Sequence, residues 1–190
     1  IDGAKSAVKY LSRLVKMRVF TDASTGIGQM LRPMHLSVVD LSGLDDEVSD
    51  YITYRILSDV YDKVSSGEFN YPVFIFVEEA HRFIPAQAST HSGRMIKKVA
   101  AEGRKFGIFL VVITQRPSKI HADALSQCNS QIIMRITNPK DQEAVAASSE
   151  RLGEALLDDL PGLNTGEAVI VGEMTRAPIM ARIRKRTTRE

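Results

Sequence analysis

Hydrophobic residues are distributed along the chain in two alternating patterns. Where apolar residues are spaced three and four apart, the pattern predicts amphipathic helices over 4–18, 45–67, 93–103, 122–127, 139–148 and 152–158. Where apolar residues follow one another without a break, the pattern predicts buried strands over 35–41, 72–77, 107–114, 130–136, 166–172 and 177–183. We expect the last two strands to form a terminal pair, and 20–34 to form a loop or short hairpin.

The alternation of such strands with helices predicts an α/β fold with three layers, in which helices cover both faces of a mostly parallel sheet. We expect a helical segment and connecting loop over 1–34, followed by the sheet-containing domain over 35–190. Sheets of this kind bind ligands beyond the carboxyl ends of their strands. The polar residues that directly follow each strand are therefore the first candidates for chemistry.

The composition excludes several classes of protein. With 44% hydrophobic and 25% charged residues among 190, the chain is typical of a globular domain and not of a disordered one. Its single cysteine, Cys128, cannot form an internal disulfide, and no Cys/His cluster has zinc-finger spacing. The apolar runs are far shorter than the ~20 residues that span a bilayer, so we expect a cytoplasmic location and no membrane. A net charge of +2 gives no bulk argument for nucleic acid.

Two adjacent carboxylates, Glu78 and Glu79, follow the apolar run 72–77. Holding both at a buried edge is costly unless a cation or a positioned water compensates. An NTPase uses such a pair, one carboxylate to hold Mg²⁺ through water and the other to polarise the attacking water. The alternative is a solvated helix start, where acidic residues interact favourably with the helix dipole.

Two other positions suit the same chemistry. Gln115 ends the apolar run 107–114, and its amide can hydrogen-bond a phosphate or a water without adding charge, unless it is merely exposed in a turn. Arg104 follows Gly103 at a helix end, from which an arginine could reach the nucleotide of a neighbouring subunit. A solvated basic face explains Arg104 equally well.

Other polar residues give weaker signals. Asp40, at the end of 35–41, is a second candidate for the magnesium carboxylate, but no second carboxylate accompanies it. His81 and His91 lack partners at metal-ligand spacing, so a hydrogen-bonded or exposed histidine is the simpler interpretation of each.

The sequence contains no G-x-x-x-x-G-K-[ST] loop. Gly3-Ala4-Lys5-Ser6 imitates only the end of that pattern, with alanine in place of the glycine before the lysine. Without backbone N–H groups to cradle phosphates, this stretch cannot form a nucleotide pocket. The residues therefore indicate the second half of an NTP site, and with a start at Ile1 we expect the chain to be a piece of a longer protein.

Four stretches together, FVEEAHRF, GRKFG, ITQRPSKI and NPKDQEAV, resemble the HerA family of archaeal DNA helicase and translocase ATPases. This family belongs to the HerA–FtsK branch of the RecA-like P-loop ATPases. The resemblance extends over 36–184, and EEAH followed by TQRP is more specific than either stretch alone. It implies that 35–190 is the carboxyl-terminal part of a RecA-like ATPase domain without its Walker A loop.

The resemblance also implies an activity and a set of roles. Family members are rings, usually hexamers, that encircle double-stranded DNA, move it by hydrolysing ATP with Mg²⁺, and act in DNA end processing and repair beside a NurA-type nuclease. By motif, Glu78 is the Walker B carboxylate on the magnesium side and Glu79 the catalytic glutamate. Arg104 corresponds to the arginine offered to the neighbouring subunit's ATP, Gln115 to the sensor glutamine, and Asp40 to a structural position.

Candidate DNA contacts lie on the basic helix 93–103. Under the resemblance they would face the pore or a subunit interface, although a surface helix is an equally good interpretation. They are Arg94, Lys97 and Lys98. Contacts to phosphate carry no sequence information, so little sequence preference is expected.

Two alternatives remain open. The first is another motor, an FtsK-like chromosome pump or a conjugative type IV secretion ATPase, which shares the double-acid strand and the TQRP-like strand end. The second is a non-catalytic interaction module on the same fold. In either motor the isolated chain is expected to be inactive, because its phosphate-binding loop is absent.

Overall fold

Helices and strands alternate along the computed structural model, which describes residues 2–16, 25–149 and 151–188. The α-helices are α1 (Asp2–Lys16), α2 (Ile27–Met30), α3 (Asp46–Ser65), α4 (His91–Glu102), α5 (Ala122–Ser126), α6 (Pro139–Ser148) and α7 (Glu154–Asp159). The strands are β1 (Val73–Val77), β2 (Ile108–Val112), β3 (Ser130–Ile133), β4 (Glu167–Gly172) and β5 (Ile179–Arg182). The predicted α/β class is therefore confirmed. None of the described helices has the length and apolar character needed to cross a membrane.

The strands β1 and β2 form a parallel pair, with Val73 opposite Ile108 and Val77 opposite Val112. Parallel neighbours need a long crossover, which here contains α4. One face of the pair packs with α3 and α4 into the main core, whose fully or almost fully buried members include Leu57, Val60, Val64, Ile96, Val99 and Ile108. On the other face Phe74 stacks on Phe109, with ring centroids 5.0 Å apart.

The side chain of Ile96 in α4 is completely buried in the main core, which leads to a prediction about stability. We expect Ile96→Ala to lower the free energy of unfolding by about 2–5 kcal/mol, because it removes buried methyl groups and leaves a cavity. Ile96→Val should cost about 0.5–1.5 kcal/mol. Urea unfolding followed by circular dichroism measures both. The control Val38→Ala, at a position that is 79% exposed, should change stability by less than about 0.5 kcal/mol, and equal losses at both sites would contradict this packing.

A second sheet is antiparallel and has the order β3-β4-β5. The predicted terminal pair is confirmed, since β4 and β5 pair with Ile170 opposite Ile179. A short connection such as 173–178 allows only antiparallel pairing. This sheet has its own core with α6 and the segment after α7, formed by Ile133, Val145, Leu160, Leu163, Val169 and Val171. Among the described strands, parallel pairing is thus confined to β1 and β2.

The predicted strand at 35–41 is wrong. The segment has no regular structure, and Leu36 and Val38 are 78% and 79% exposed. An apolar run predicts a strand only where a neighbouring strand completes its hydrogen bonds, and none of the described strands pairs with this segment.

Smaller differences follow from local contacts. The predicted loop over 20–34 contains the helix α2, because Ile27 is buried in the main core; residues 17–24 lie outside the described residues. Helix α4 begins at His91 and not at residue 93, since the Thr90 side chain caps it by accepting a hydrogen bond from the backbone N–H of Gly93. Helix α3 begins after Asp45, whose carboxylate caps it by accepting a hydrogen bond from Val48 N–H.

Candidate functional site

The carboxyl ends of β1 and β2 meet at one edge of the parallel pair. Ile113 N–H donates to the carbonyl of Val77 at 2.9 Å, and Ala80 N–H donates to the carbonyl of Ile113 at 3.0 Å. These backbone bonds join the turn after β1 to the segment after β2. The structure therefore brings Glu78 and Glu79 to the same edge as Gln115, where the sequence predicts an NTPase site.

The backbone at Glu79 is unusual. Its φ of 49° and ψ of 41° lie in the left-handed region, which residues other than glycine seldom adopt. Such a conformation costs on the order of 1–3 kcal/mol and persists only where neighbouring contacts impose it, often at functional sites. Here the bond from Ala80 to Ile113 holds the next residue. Glu79 is 44% exposed, so its carboxylate remains accessible at this edge.

A histidine that the sequence singles out only weakly lies beside Glu79. The Nδ1 atom of His81 is 3.3 Å from Oε2 of Glu79 and 3.3 Å from Oγ1 of Thr114. His81 lies on the 3₁₀ turn Ala80–Arg82, and its side chain is only 20% exposed. Linear spacing does not reveal this contact, because it depends on the left-handed turn at Glu79. The one available signal is the position of His81 directly after the double-acid strand end.

The segment after β2 presents Gln115 to solvent. Thr114 Oγ1 accepts a hydrogen bond from Arg116 N–H at 3.0 Å, which fixes the turn around Gln115. The following 3₁₀ turn is anchored by Asp141, a buried carboxylate of α6, which accepts hydrogen bonds from the N–H and the hydroxyl of Ser118 at 3.0 and 2.6 Å. Asp141 is a positioning residue that the sequence does not reveal. Its hydrogen bonds to Ser118 connect α6, which packs against the second sheet, to the segment that follows β2.

Arg104 lies at the other end of β2. It is exposed on the 3₁₀ turn Gly103–Phe106, directly before that strand, and has no side-chain hydrogen bond or ion pair with any described residue. The length of the five-residue strand β2, about 15 Å or more, therefore separates it from Glu79. The structure does not bring Arg104 together with Glu78, Glu79 and Gln115 within one chain.

The three candidate DNA contacts on α4 have different neighbours. Arg94 and Lys97 line a shallow depression together with Thr90 and His121. The ammonium of Lys98 instead lies 4.1 Å from the ring centroid of Tyr61.

Tyr61 is itself held by α4, since its hydroxyl donates to a Glu102 carboxylate oxygen at 2.8 Å. This hydrogen bond to a carboxylate raises the pKa of Tyr61. Lys98 is thus part of the contact between α3 and α4, where a cation lies against an aromatic face.

Asp40, the second candidate for the magnesium carboxylate, forms a hydrogen bond within its own turn. Its Oδ1 accepts a hydrogen bond from Ser42 N–H at 2.9 Å. Hydrogen bonding to the Ser42 side chain and backbone lowers the pKa of Asp40. This turn agrees with the structural role expected for Asp40.

The side chains at the strand ends fit a magnesium ion that is bound together with nucleotide phosphates better than one that the protein holds by itself. In the described part of the chain, no group of three or more His, Cys, Asp or Glu side chains is arranged to hold a metal by itself. Magnesium in nucleotide sites keeps several waters and binds phosphate oxygens besides one or two carboxylates. Glu78 is exposed and makes no side-chain hydrogen bond or ion pair with the described residues, so it is available for such a role.

Comparison with curated proteins finds HerA helicases. The chain is 36% identical to the DNA double-strand break repair helicase HerA of Pyrococcus furiosus, over an alignment covering 80% of this chain and 33% of that protein. It is 36% identical to the probable HerA of Methanocaldococcus jannaschii, with 79% and 36% covered. The chain thus spans about a third of the length of these relatives. No protein-family model matches.

Comparison with solved structures shows the fold. The genome packaging NTPase B204 of Sulfolobus turreted icosahedral virus 2, in complex with ATP-gammaS, superposes with a TM-score of 0.63 at 13% identity, with 85% of this chain and 73% of that chain covered. VirB4 of Thermoanaerobacter pseudethanolicus gives 0.59 at 18% identity, with 77% and 40% covered. The predicted P-loop ATPase fold and the predicted resemblance to HerA are both confirmed.

Proposed function

We propose that this chain supplies the hydrolytic half of the ATP site in a ring-forming motor that moves and unwinds double-stranded DNA during end processing and repair. The observation that carries the proposal is the juxtaposition of Glu78, Glu79 and Gln115 at the joined ends of β1 and β2. The similarity to helicases named for DNA double-strand break repair supports the same assignment.

The side chains divide the chemistry between them. Glu79 polarises the attacking water by accepting a hydrogen bond from it, and its exposure at the strand end leaves room for that water. Gln115 contacts the γ-phosphate or the same water without adding negative charge. Magnesium, when held through water by Glu78, neutralises charge on the phosphates.

The remaining parts of the site come from outside this arrangement. The 190 residues contain no phosphate-binding loop, so the chain alone is expected to hydrolyse no ATP. Arg104 lies too far along β2 to serve its own site, which favours contact with a neighbouring subunit's nucleotide in a hexameric ring. Basic side chains such as Arg94 and Lys97 would contact the DNA backbone, and a NurA-type nuclease is the proposed partner.

ATP hydrolysis by the full-length gene product, with and without duplex DNA, tests the proposed function. We expect hydrolysis that duplex DNA stimulates regardless of its sequence, because phosphate contacts do not read bases. Strand separation of a labelled duplex then distinguishes a helicase from a pump that moves DNA without unwinding it. If the full-length protein neither binds nor hydrolyses ATP, the motor assignment fails and a non-catalytic interaction module takes its place.

A further inference from the structure

His81 lies between the two halves of the candidate site. A single atom, Nδ1, is 3.3 Å from a carboxylate oxygen of Glu79 on one side and 3.3 Å from the hydroxyl oxygen of Thr114 on the other. Thr114 directly precedes Gln115, so the two contacts of His81 reach the carboxylate proposed to act on water and the segment proposed to contact phosphate.

We propose that His81 is a positioning residue that couples the position of the Thr114–Gln115 segment to the orientation of the Glu79 carboxylate. The inference rests on the proposed function and deepens it, since it concerns the regulation of the same site. It assigns no contact between His81 and the nucleotide.

The coupling follows from the chemistry of one ring nitrogen. In a neutral imidazole, Nδ1 carries either a proton or a lone pair. With a proton, Nδ1 donates to Glu79 and holds the carboxylate against the turn. With a lone pair, Nδ1 accepts from the Thr114 hydroxyl and no longer holds Glu79. A movement of Thr114 therefore changes which partner Nδ1 serves, and with it the freedom of the carboxylate.

The backbone around His81 is held by hydrogen bonds, so we expect the exchange of partners at Nδ1 to involve movement of side chains only. The N–H of Ala80, next to His81, is bonded to Ile113, and the N–H of Arg82 is bonded to the carbonyl of Glu79 at 2.9 Å. The guanidinium of Arg82 also pairs with Asp46 at 2.7 Å. Because the Ile113 backbone is bonded to the turn and the turn is held on both sides of His81, a displacement of Thr114 and Gln115 beyond Ile113 reaches Glu79 through the imidazole.

Steady-state ATP hydrolysis by full-length His81 variants tests the inference. We expect His81→Ala to lower kcat by about 10- to 100-fold, with little change in KM for ATP, because a misoriented carboxylate slows the chemical step and leaves binding intact. His81→Asn places a side-chain amide near the position of Nδ1 and should recover most of the lost rate. Thermal unfolding of each variant checks that the fold is retained.

Variants of Thr114 supply the second arm. Thr114→Val removes the hydroxyl that contacts His81 and accepts a hydrogen bond from Arg116 N–H, so it should lower kcat, whereas Thr114→Ser keeps both contacts and should lower kcat much less. Since part of the Thr114→Val effect acts through His81, that substitution should lower kcat less in the His81→Ala background than in the wild-type protein.

The outcomes separate this inference from the proposed function. Loss of kcat in His81→Ala, recovery in His81→Asn and non-additivity with Thr114→Val support the coupling. A wild-type rate in His81→Ala, an asparagine variant as slow as alanine, or additive effects would overturn it while the motor assignment stands. An inactive wild-type protein would remove both.

Discussion

Full-length protein carrying Glu79→Gln is expected to hydrolyse ATP about 10²- to 10⁴-fold more slowly than wild type while binding ATP with similar affinity. The amide has nearly the shape of the carboxylate but cannot accept a proton or polarise water with a negative charge. Because Glu79 is proposed to act on the water and not on the nucleotide, the loss should appear in kcat. Phosphate release measures hydrolysis, and equilibrium binding of a fluorescent ATP analogue measures affinity.

Two further glutamine variants make the Glu79 experiment specific. Glu154→Gln removes an exposed carboxylate at the start of α7 and should leave hydrolysis unchanged. Glu78→Gln should instead raise the magnesium concentration needed for half-maximal rate, because Glu78 is proposed to hold the ion through water. If Glu79→Gln turned over at the wild-type rate, the assignment of Glu79 would be wrong even if the protein proved to be an ATPase.

The edge that holds Glu79 could be predicted from the sequence because its determinants are local. Unbroken apolar runs identify β1 and β2, and one face of each strand is buried in the main core. Parallel pairing then brings the residues after both strands to one edge. Glu78, Glu79 and Gln115 are therefore found together from sequence alone.

The contact between His81 and Glu79 could not be predicted in this way. It depends on a left-handed backbone at Glu79, and a glutamate gives no signal for that conformation, unlike a glycine or an asparagine. The side-chain anchor at Asp141 is hidden for a related reason, since its partner Ser118 is distant in sequence and belongs to a different part of the fold. Contacts set by tertiary structure leave no periodic pattern.

At the segment 35–41 the sequence instead predicts a strand that the structure does not contain. Its apolar residues satisfy the local pattern of a strand, yet Leu36 and Val38 are exposed because the described residues place no strand beside them. A local pattern shows only that a segment could be buried in a sheet. Whether the segment is buried depends on whether other parts of the molecule pack against it.

Substitution of Arg104 is expected to have the second large effect on the rate of ATP hydrolysis. An arginine that stabilises transferring phosphate is worth about 10³ to 10⁵ in rate, so Arg104→Ala should be nearly inactive. Arg104→Lys keeps the charge but loses the planar fork that contacts two oxygens, and it should recover little. Lys105→Ala, at the adjacent exposed position, is the matched control and should retain most of the activity.

Mixing two inactive variants tests whether Arg104 acts between subunits. In a ring assembled from Glu79→Gln and Arg104→Ala chains, some interfaces combine the intact Glu79 of one chain with the intact Arg104 of its neighbour. Those interfaces should hydrolyse ATP, so activity should reappear on mixing. If Arg104 served its own chain's site, no interface would contain both groups and the mixture would remain inactive. Since β2 separates the two residues within one chain, we expect recovery.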